Sequence, residues 1–386
     1  MAVTFGDYIN YMQNPTSVLR PIARFELLNP DETSYASFSA QVLSGTLSAT
    51  RANGVRRTCE LNVTNFYNDF TPNPNTFWIN QKFKLSLGYV INGEEYFIPQ
   101  GVFGISNPEN IHIKSQKEAR IVGVDKFSFL NGQLGGRVYS TYAVNSGSNL
   151  ITVLKSILAE SKVNDPIIPL LFIGSSVKVP YTIYKQYGST FGDLVLELNN
   201  IVSNNMFYDV NGRFICETDV PNSEKGSVWD FRTSANTFLG ITVGYNFDEA
   251  YNIILVVGDN VNGNLATGVA KNTDKSSPLS IYQIGERVAP PITSSSISND
   301  TQAKDLAKFW LKRYVSLSSK TTITCIPLLH LDVDQIITVT DATLLLDKER
   351  FLIDSFTINL DANGNQTMSI SVTKANDLDF EISDIL

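Results

Sequence analysis

The residues able to do chemistry are few and scattered. The chain has two histidines, His112 and His330. His112 stands between two isoleucines in a strand-like run, and His330 follows Pro327-Leu328-Leu329. Neither belongs to an HExxH motif or a histidine pair, so no zinc site is spelled out. Both read as structural histidines. No GxSxG elbow and no Cys/His motif is present, which leaves nucleophilic catalysis without a visible centre. Cys59, Cys216 and Cys325 are odd in number, far apart and set in alternating runs. Buried free thiols are expected there, rather than a disulfide. Gly258, Gly263 and Gly268 are not followed by the Lys-Ser/Thr of a phosphate loop.

Two charged clusters remain. Asp332 and Asp334 form a close acidic pair, the type of grouping that does acid–base work or binds calcium. They also stand just before a strand, where Asp is favoured in turns. Arg51, Arg56 and Arg57 surround Asn53-Gly54. They read either as a solvated turn or as planar forks for carboxylates of a partner subunit. No catalytic, cofactor or metal residue is assigned, and the chain is not expected to be an enzyme.

Elements must hold these residues in place, and the totals bound them. A chain of 386 residues, 43% hydrophobic and 18% charged, suggests several folded domains. Its net charge of −8 argues against a protein that grips nucleic acid. The N-terminus lacks a basic start followed by an apolar run, so no secretory signal is expected. No stretch approaches about 18 uninterrupted apolar residues, so no membrane insertion is expected.

The pattern is mainly β, α+β overall: two similar β-barrel domains with an inserted mixed α/β region. Residues 1–132 read as a first barrel. Apolar residues alternate in Thr58–Thr64 and Lys82–Leu87, and Asn92-Gly93 is a strong hairpin turn. Residues 133–240 read as the insertion. Leu150, Val153, Leu154, Ile157 and Leu158 recur at helical spacing, and Thr190 with Asp193 forms a capping box for a second helix. Asn211-Gly212 closes a short hairpin, and Pro166, Pro169 and Pro180 mark loops or edge strands. Residues 241–374 read as a second barrel carrying one helix, whose face is Ala303, Leu306, Ala307, Trp310, Leu311 and Tyr314. Residues 375–386 form a tail that is either unstructured or adds a strand to a neighbour through Leu378, Phe380, Ile382 and Ile385. With Arg51, Arg56 and Arg57, these four are the candidate subunit interface.

The two barrel regions look like copies. INQKFKLSLGY aligns with VDQIITVTD on Gln81 and Gln335, and EEYFIPQGVFGI aligns with KERFLIDSFTI on Phe97 and Phe351. The separations agree, since 97 − 81 and 351 − 335 are both 16. A Thr/Cys strand precedes each block and an alternating strand follows it. Alike hairpins explain this blandly; two homologous barrels explain it sharply.

Several of these segments also resemble bacteriophage tail baseplate hub proteins, including prophage tail proteins of Gram-positive hosts. NIILVVG, SPLSIYQIGERV, CIPLLHLDVDQIITVTD and KERFLIDSFTI carry the likeness in the last third. SGTLSATRANGVRRTCELNV is similar to that group's first barrel, and GSTFGDLVLELNNIVSNNMFYDVNGRFICE to its helix-plus-hairpin module. The resemblance implies a homotrimer whose barrels form a pseudo-sixfold ring between the tail tube (or distal tail protein) and a central spike or tip. It further implies that DNA passes through only in transit, and that the protein ends in the virion after assembly in the host cytoplasm. The rival readings are a carbohydrate-binding module, which needs clustered exposed aromatics, and a β-rich hydrolase or lyase, which needs a convergent site.

Overall fold

The computed structural model describes residues 3–15, 19–29, 31–73, 77–78, 81–114, 116–161, 167–168, 177–202, 204–218, 220–245, 247–248, 250–261, 264–294, 297, 299–317, 319–375 and 380–383. Pro166, Pro169, Gly263, Leu378 and Ile385 lie outside them.

The chain opens with helix α1 (Phe5–Gln13), started by a reciprocal Thr4–Asp7 capping box. Seven strands follow: β1 (Ile22–Leu28), β2 (Ser34–Thr50), β3 (Arg57–Thr64), β4 (Lys82–Ile91), β5 (Glu94–Ile105), β6 (Glu109–Ile113) and β7 (Gln116–Asp125). Pairings run β1–β4–β5–β7–β3–β2 and return from β2 to β1, which closes a six-stranded ring. Alternation puts Phe25, Leu61, Phe83, Leu85, Phe103 and Ile121 inside it, all fully buried. The Asn92-Gly93 turn has φ of 51° and 85°, the left-handed pair a tight hairpin needs.

The insertion holds β8 (Tyr142–Val144), α2 (Leu150–Glu160), β9 (Ile167–Ile168), β10 (Ile183–Lys185), α3 (Phe191–Val202), β11 (Asn205–Tyr208) and β12 (Phe214–Glu217). It has a core of its own, built from the apolar faces of α2 and α3 over Met206, Tyr208, Phe214 and Cys216. The Thr190–Asp193 capping box is formed in both directions, at 3.0 and 3.2 Å. The insertion carries a duplication of its own. Gly147 N–H donates to the Val179 carbonyl and Gly188 N–H to the Val138 carbonyl, both at 2.8 Å, and 188 − 147 and 179 − 138 both equal 41. Each strand–turn–helix unit therefore bonds to the segment that leads into the other.

The chain continues with β13 (Ser227–Arg232), β14 (Phe238–Tyr245), β15 (Ile253–Val261), β16 (Asn264–Asn272), α4 (Ile281–Ile284), β17 (Ile292–Thr293), α5 (Asp300–Leu317), β18 (Ser319–Cys325), β19 (Ile336–Asp341), β20 (Leu346–Asp361), β21 (Thr367–Lys374) and β22 (Phe380–Ser383). The second barrel takes β13, β14 and β18–β21. Its strands thus start at Ser227 rather than at 241. Residues 253–317 are not part of it: β15, β16, β17 and β22 make a separate sheet, and Ala303, Leu306, Ala307 and Leu311 of α5 pack on it. Gly268 permits that packing, since a Cβ there would strike the backbone of Ala303 and Lys304. The tail expectation changes as well. Phe380 and Ile382 lie in β22, which pairs with β16 of its own chain, with Ile382 opposite Ala270. None of the helices described is long and apolar enough to cross a membrane.

The two barrels answer each other over five strands each. β3, β4, β5 and β7 pair as β18, β19, β20 and β21 do, and β2–β3 is matched by β14–β18. A bulge follows Val42 and, at the corresponding place, Phe238. Gln81 and Gln335 correspond in detail. Gln81 Oε1 accepts the Trp78 N–H and Gln335 Oε1 accepts the Asp332 N–H, each at 2.8 Å. Their carbonyls accept from Ile105 and Ile353.

The second half of the alignment needs correction. Phe83 faces Phe103 and Ile337 faces Phe351, so Phe351 answers Phe103 and not Phe97. The first hairpin turns after a ten-residue strand and the second after a six-residue strand, so equal separations compared different points on the two arms. The copies also differ at one edge. β1 runs antiparallel to β4, whereas β13 runs parallel to β19, and among the described residues β13 and β14 do not pair.

Candidate functional site

The segment Pro327–Gln335, between β18 and β19, fastens the second barrel to the first. Leu328, Leu329, Leu331 and Val333 are buried in a core that both barrels share. Its backbone is held from the first-barrel side. Tyr89 Oη donates to the Pro327 carbonyl at 3.3 Å, Gln100 Nε2 to the Leu329 carbonyl at 3.0 Å, and Leu329 N–H to Tyr8 Oη at 3.0 Å. Beside it, β2 pairs directly with β20 from Ser44–Asp361 to Thr50–Ser355, making one sheet continuous across both barrels.

The two charged clusters of the sequence meet here. Arg57 Nη2 reaches both oxygens of Asp332, at 2.5 and 2.6 Å. Arg56 Nη1 is 2.9 Å from Asp334 Oδ2, and Arg51 Nε pairs with Asp334 Oδ1. Arg56 and Arg57 are each 4% exposed, which excludes a solvated turn. The carboxylates they find belong to their own chain, not to a neighbouring subunit. A buried guanidinium needs such a partner, because desolvating an unpaired charge is costly. Arg56 also lies 3.2 Å from the centre of the Phe207 ring, and Asn53 Oδ1 accepts the Met206 N–H at 2.9 Å. The turn between β2 and β3 thus touches both barrels and the insertion.

Asp334 adopts φ 68°, a left-handed conformation that costs a non-glycine residue of order 1 kcal/mol. Burial works against its charge, but Arg51 and Arg56 outweigh it and hold its pKa below the ordinary value. A second knot lies nearby. Glu32 Oε1 accepts from Lys82 Nζ at 2.5 Å and Lys126 Nζ at 2.6 Å, and Lys126 also donates to the Gly212 carbonyl of the insertion. Burial opposes the Glu32 charge, yet the two lysines keep its pKa low.

Two buried groups titrate in opposite senses. Burial pushes Asp125 up to about 6, although it accepts the N–H groups of Arg56, Arg57 and Phe127 and faces the Arg57 cation. The folded state then binds a proton more readily than the unfolded one, so Asp125 makes the fold more stable as pH falls from about 6 toward 3.8. Burial among Tyr8, Trp229 and Phe5 lowers His330 to about 4. Its contribution is complete above 6.5 and is lost as pH falls toward 4. Urea titrations from pH 7 to pH 4 separate the two. Asp125→Asn removes the gain on acidification, so that variant loses stability more steeply than the parent. His330→Phe removes the loss and flattens the fall.

As chemistry, the arrangement clamps rather than reacts. His330 is sealed in aromatics, while His112 is exposed on β6. The three cysteines are buried free thiols, and burial raises Cys59 to about 12. Among the described residues, no three His, Cys, Asp or Glu side chains converge as metal ligands. A cleft of about 290 Å³ opens beside the clamp, between Asn205 and Glu217 of the insertion and Asp334 and Gln335 of the second barrel. The tryptophans do not gather: Trp229 is buried by His330, Trp310 packs on the α5 core, and Trp78 is exposed on the loop after β3.

No protein-family model and no curated protein matches the sequence. Solved structures match in fold. A tail protein from Neisseria meningitidis superposes at TM-score 0.63 with 11% identity, covering 91% of this chain and 96% of that one. The 43 kDa tail protein of prophage MuSo2 from Shewanella oneidensis gives 0.62 with 13% identity, covering 93% and 100%. An E. coli component of the type VI secretion system, described as similar to T4 bacteriophage tail proteins gp27 and gp5, gives 0.53 with 10% identity, covering 88% and 75%. The chain has the mainly β fold of these tail proteins.

Proposed function

We propose that the chain is a structural component of a phage or phage-like tail, and within it the hub of the baseplate. The observation that carries this reading is the duplicated barrel, its copies locked together by Pro327–Gln335 and by the β2–β20 pairing. Three such chains present six similar barrels, which adapts a sixfold tube to a threefold spike or tip. The fold shared with tail proteins supports the same reading. On it, the partners are a tail tube or distal tail protein on one side and a central spike or tip on the other. The place of action is the virion, after assembly in the host cytoplasm.

DNA passes through the lumen without being held. The net charge of −8 supports this, because an acidic wall does not retain phosphate. Measuring the mass in solution and imaging by negative stain tests the hub: three-chain rings are expected, and a protein monomeric at every concentration and with every tail partner counts against it. A strongly basic ring lumen would sink the transit role. A second reading, carbohydrate binding, draws on Tyr139, Tyr184 and Tyr187, all exposed on the insertion. It requires glycan binding that Tyr184→Ala and Tyr187→Ala abolish while the assembly stays intact.

A further inference from the structure

We infer that β14 of one chain pairs edge to edge with β6 of a second copy, antiparallel and with Val243 opposite Asn110. The inference rests on the ring proposed above and names the strands that close it.

One joint of the duplicated architecture is made inside the chain, and its counterpart is left open. The joint that is made pairs residues 44–50 of β2 with residues 355–361 of β20. Each of these partners has a counterpart in the other barrel, fixed by the ladders. The bulges after Val42 and Phe238 align β2 with β14 at a constant difference, since 238 − 42 and 240 − 44 are both 196. Leu47 then corresponds to Val243 and Ser48 to Gly244. On the other side, the pair Phe103–Asp125 answers Phe351–Lys374, which gives differences of 351 − 103 = 248 and 374 − 125 = 249. By these differences Glu109 of β6, which faces Arg120, answers Thr357, which faces Ser369. Asn110 follows as the counterpart of Ile358, and His112 of Leu360. Inside the chain Leu47 meets Ile358 and Ser48 meets Thr357. Between chains the same joint brings Val243 to Asn110 and Gly244 to Glu109.

Both edges are open. Among the described residues β14 pairs only with β18 and β6 only with β7, and the sheet path ends at β14. Such edges present unpaired backbone groups on which another strand adds. The open side of β14 is not the one that closes a barrel. In the first barrel the closing strand β1 takes residues 34–41 of β2, and the stretch that answers 240–244 faces the other barrel instead. Beyond the ladder, the bulge carbonyl of Leu43 accepts the Ala362 N–H at 3.0 Å. Leu239 and Lys114 hold the corresponding places, and Leu239 is 54% exposed.

Continuity selects the occupant. Seating β6 of the next chain on β14 extends the sheet by the same antiparallel step that β2 and β20 make within the chain. The two surfaces differ, so the contact is head-to-tail, the kind that closes into a ring. Polarity agrees as well. Leu47 and Ile358 are buried at the inner joint, whereas Asn110 and His112 are exposed on β6. A joint formed between chains already folded has to meet water first, and subunit contacts are correspondingly more polar than cores.

The test uses the full chain, whose three native thiols are buried. Val243→Cys is combined with Asn110→Cys and, separately, with Ile111→Cys, and each assembled protein is treated with a thiol oxidant. Opposed residues of an antiparallel pair lie close enough for a disulfide, whereas the next residue points to the other face. The expected result is a ladder of covalent dimers and trimers for Val243 with Asn110, at least about tenfold stronger than for Val243 with Ile111. In the parent chain, which carries no substitution, the most slowed amide among residues 240–244 exchanges at least about tenfold more slowly on assembly. A ring in which both cysteine pairs crosslink equally, or whose β14 amides exchange as in the free chain, overturns this inference and leaves the ring standing. A parent chain that never assembles overturns the ring, and this inference with it.

Discussion

Asp334→Asn lowers the unfolding free energy by about 3 kcal/mol, the size expected when one partner of a buried ion pair is removed. The change is read as a fall in the urea midpoint at constant slope. Asn is the informative replacement because it tolerates the left-handed φ of 68° almost as well as Asp, so the backbone is left alone. What changes is the charge. The Arg56 side chain is 3% exposed and lies against Phe207, so its guanidinium cannot turn to water when the carboxylate is gone. Adding Arg56→Met to Asp334→Asn should recover most of the loss, because the uncompensated cation disappears. The surface pair Arg24–Glu95, 3.8 Å apart with both side chains at least 40% exposed, supplies the contrast: Glu95→Gln shifts stability by less than about 0.5 kcal/mol. If Asp334→Asn proves equally mild, the barrels are held by their shared sheet and core, and the ion pairs are incidental.

Both halves of that clamp were visible in the sequence, but not their meeting. Arg57 and Asp332 are 275 positions apart. Charge pattern reports local neighbours; the pairing of β2 with β20 and the docking of Pro327–Gln335 in the shared core bring these two together. Local signals fared better because their physics is local. Thr190 and Asp193 cap α3, Asn92-Gly93 turns the hairpin, and alternation placed the strands of the first barrel. Alternation also has a limit. It says that a strand has one buried face and nothing about which sheet it joins, and the reading of residues 241–374 as one barrel has the same gap, since β15 and β16 pack under α5 instead. The 41-residue duplication of the insertion is written in the sequence as Arg137-Val138/Lys178-Val179, Thr141/Thr182, Gly147-Ser148/Gly188-Ser189 and the caps Asn149/Thr190, but so short and gapped a pattern gains its meaning only from the hydrogen bonds at Gly147 and Gly188.

Phe103→Ala and Phe351→Ala should each cost about 3–5 kcal/mol, the range for emptying a buried phenylalanine site, while Phe97→Ala costs about 1 kcal/mol. The comparison decides how the barrels correspond. Spacing alone equated Phe97 with Phe351, and on that view the two substitutions behave alike. The ladders say otherwise. Gln335 answers Gln81 at a difference of 254, but Phe351 answers Phe103 at a difference of 248, since six residues are missing from the second hairpin. Burial follows the ladders. Phe103 is fully buried and stacks on Phe83 at 5.7 Å, and Phe351 is 5% exposed in the core that both barrels share. Phe97 is only half-buried, with the Arg24 guanidinium 3.9 Å above its ring, so its removal opens a surface notch that water fills. Equal losses at Phe97 and Phe351 would restore the sequence alignment. Equal losses at Phe103 and Phe351 mean that both barrels are stabilised from the same interior position, as two copies of one architecture should be.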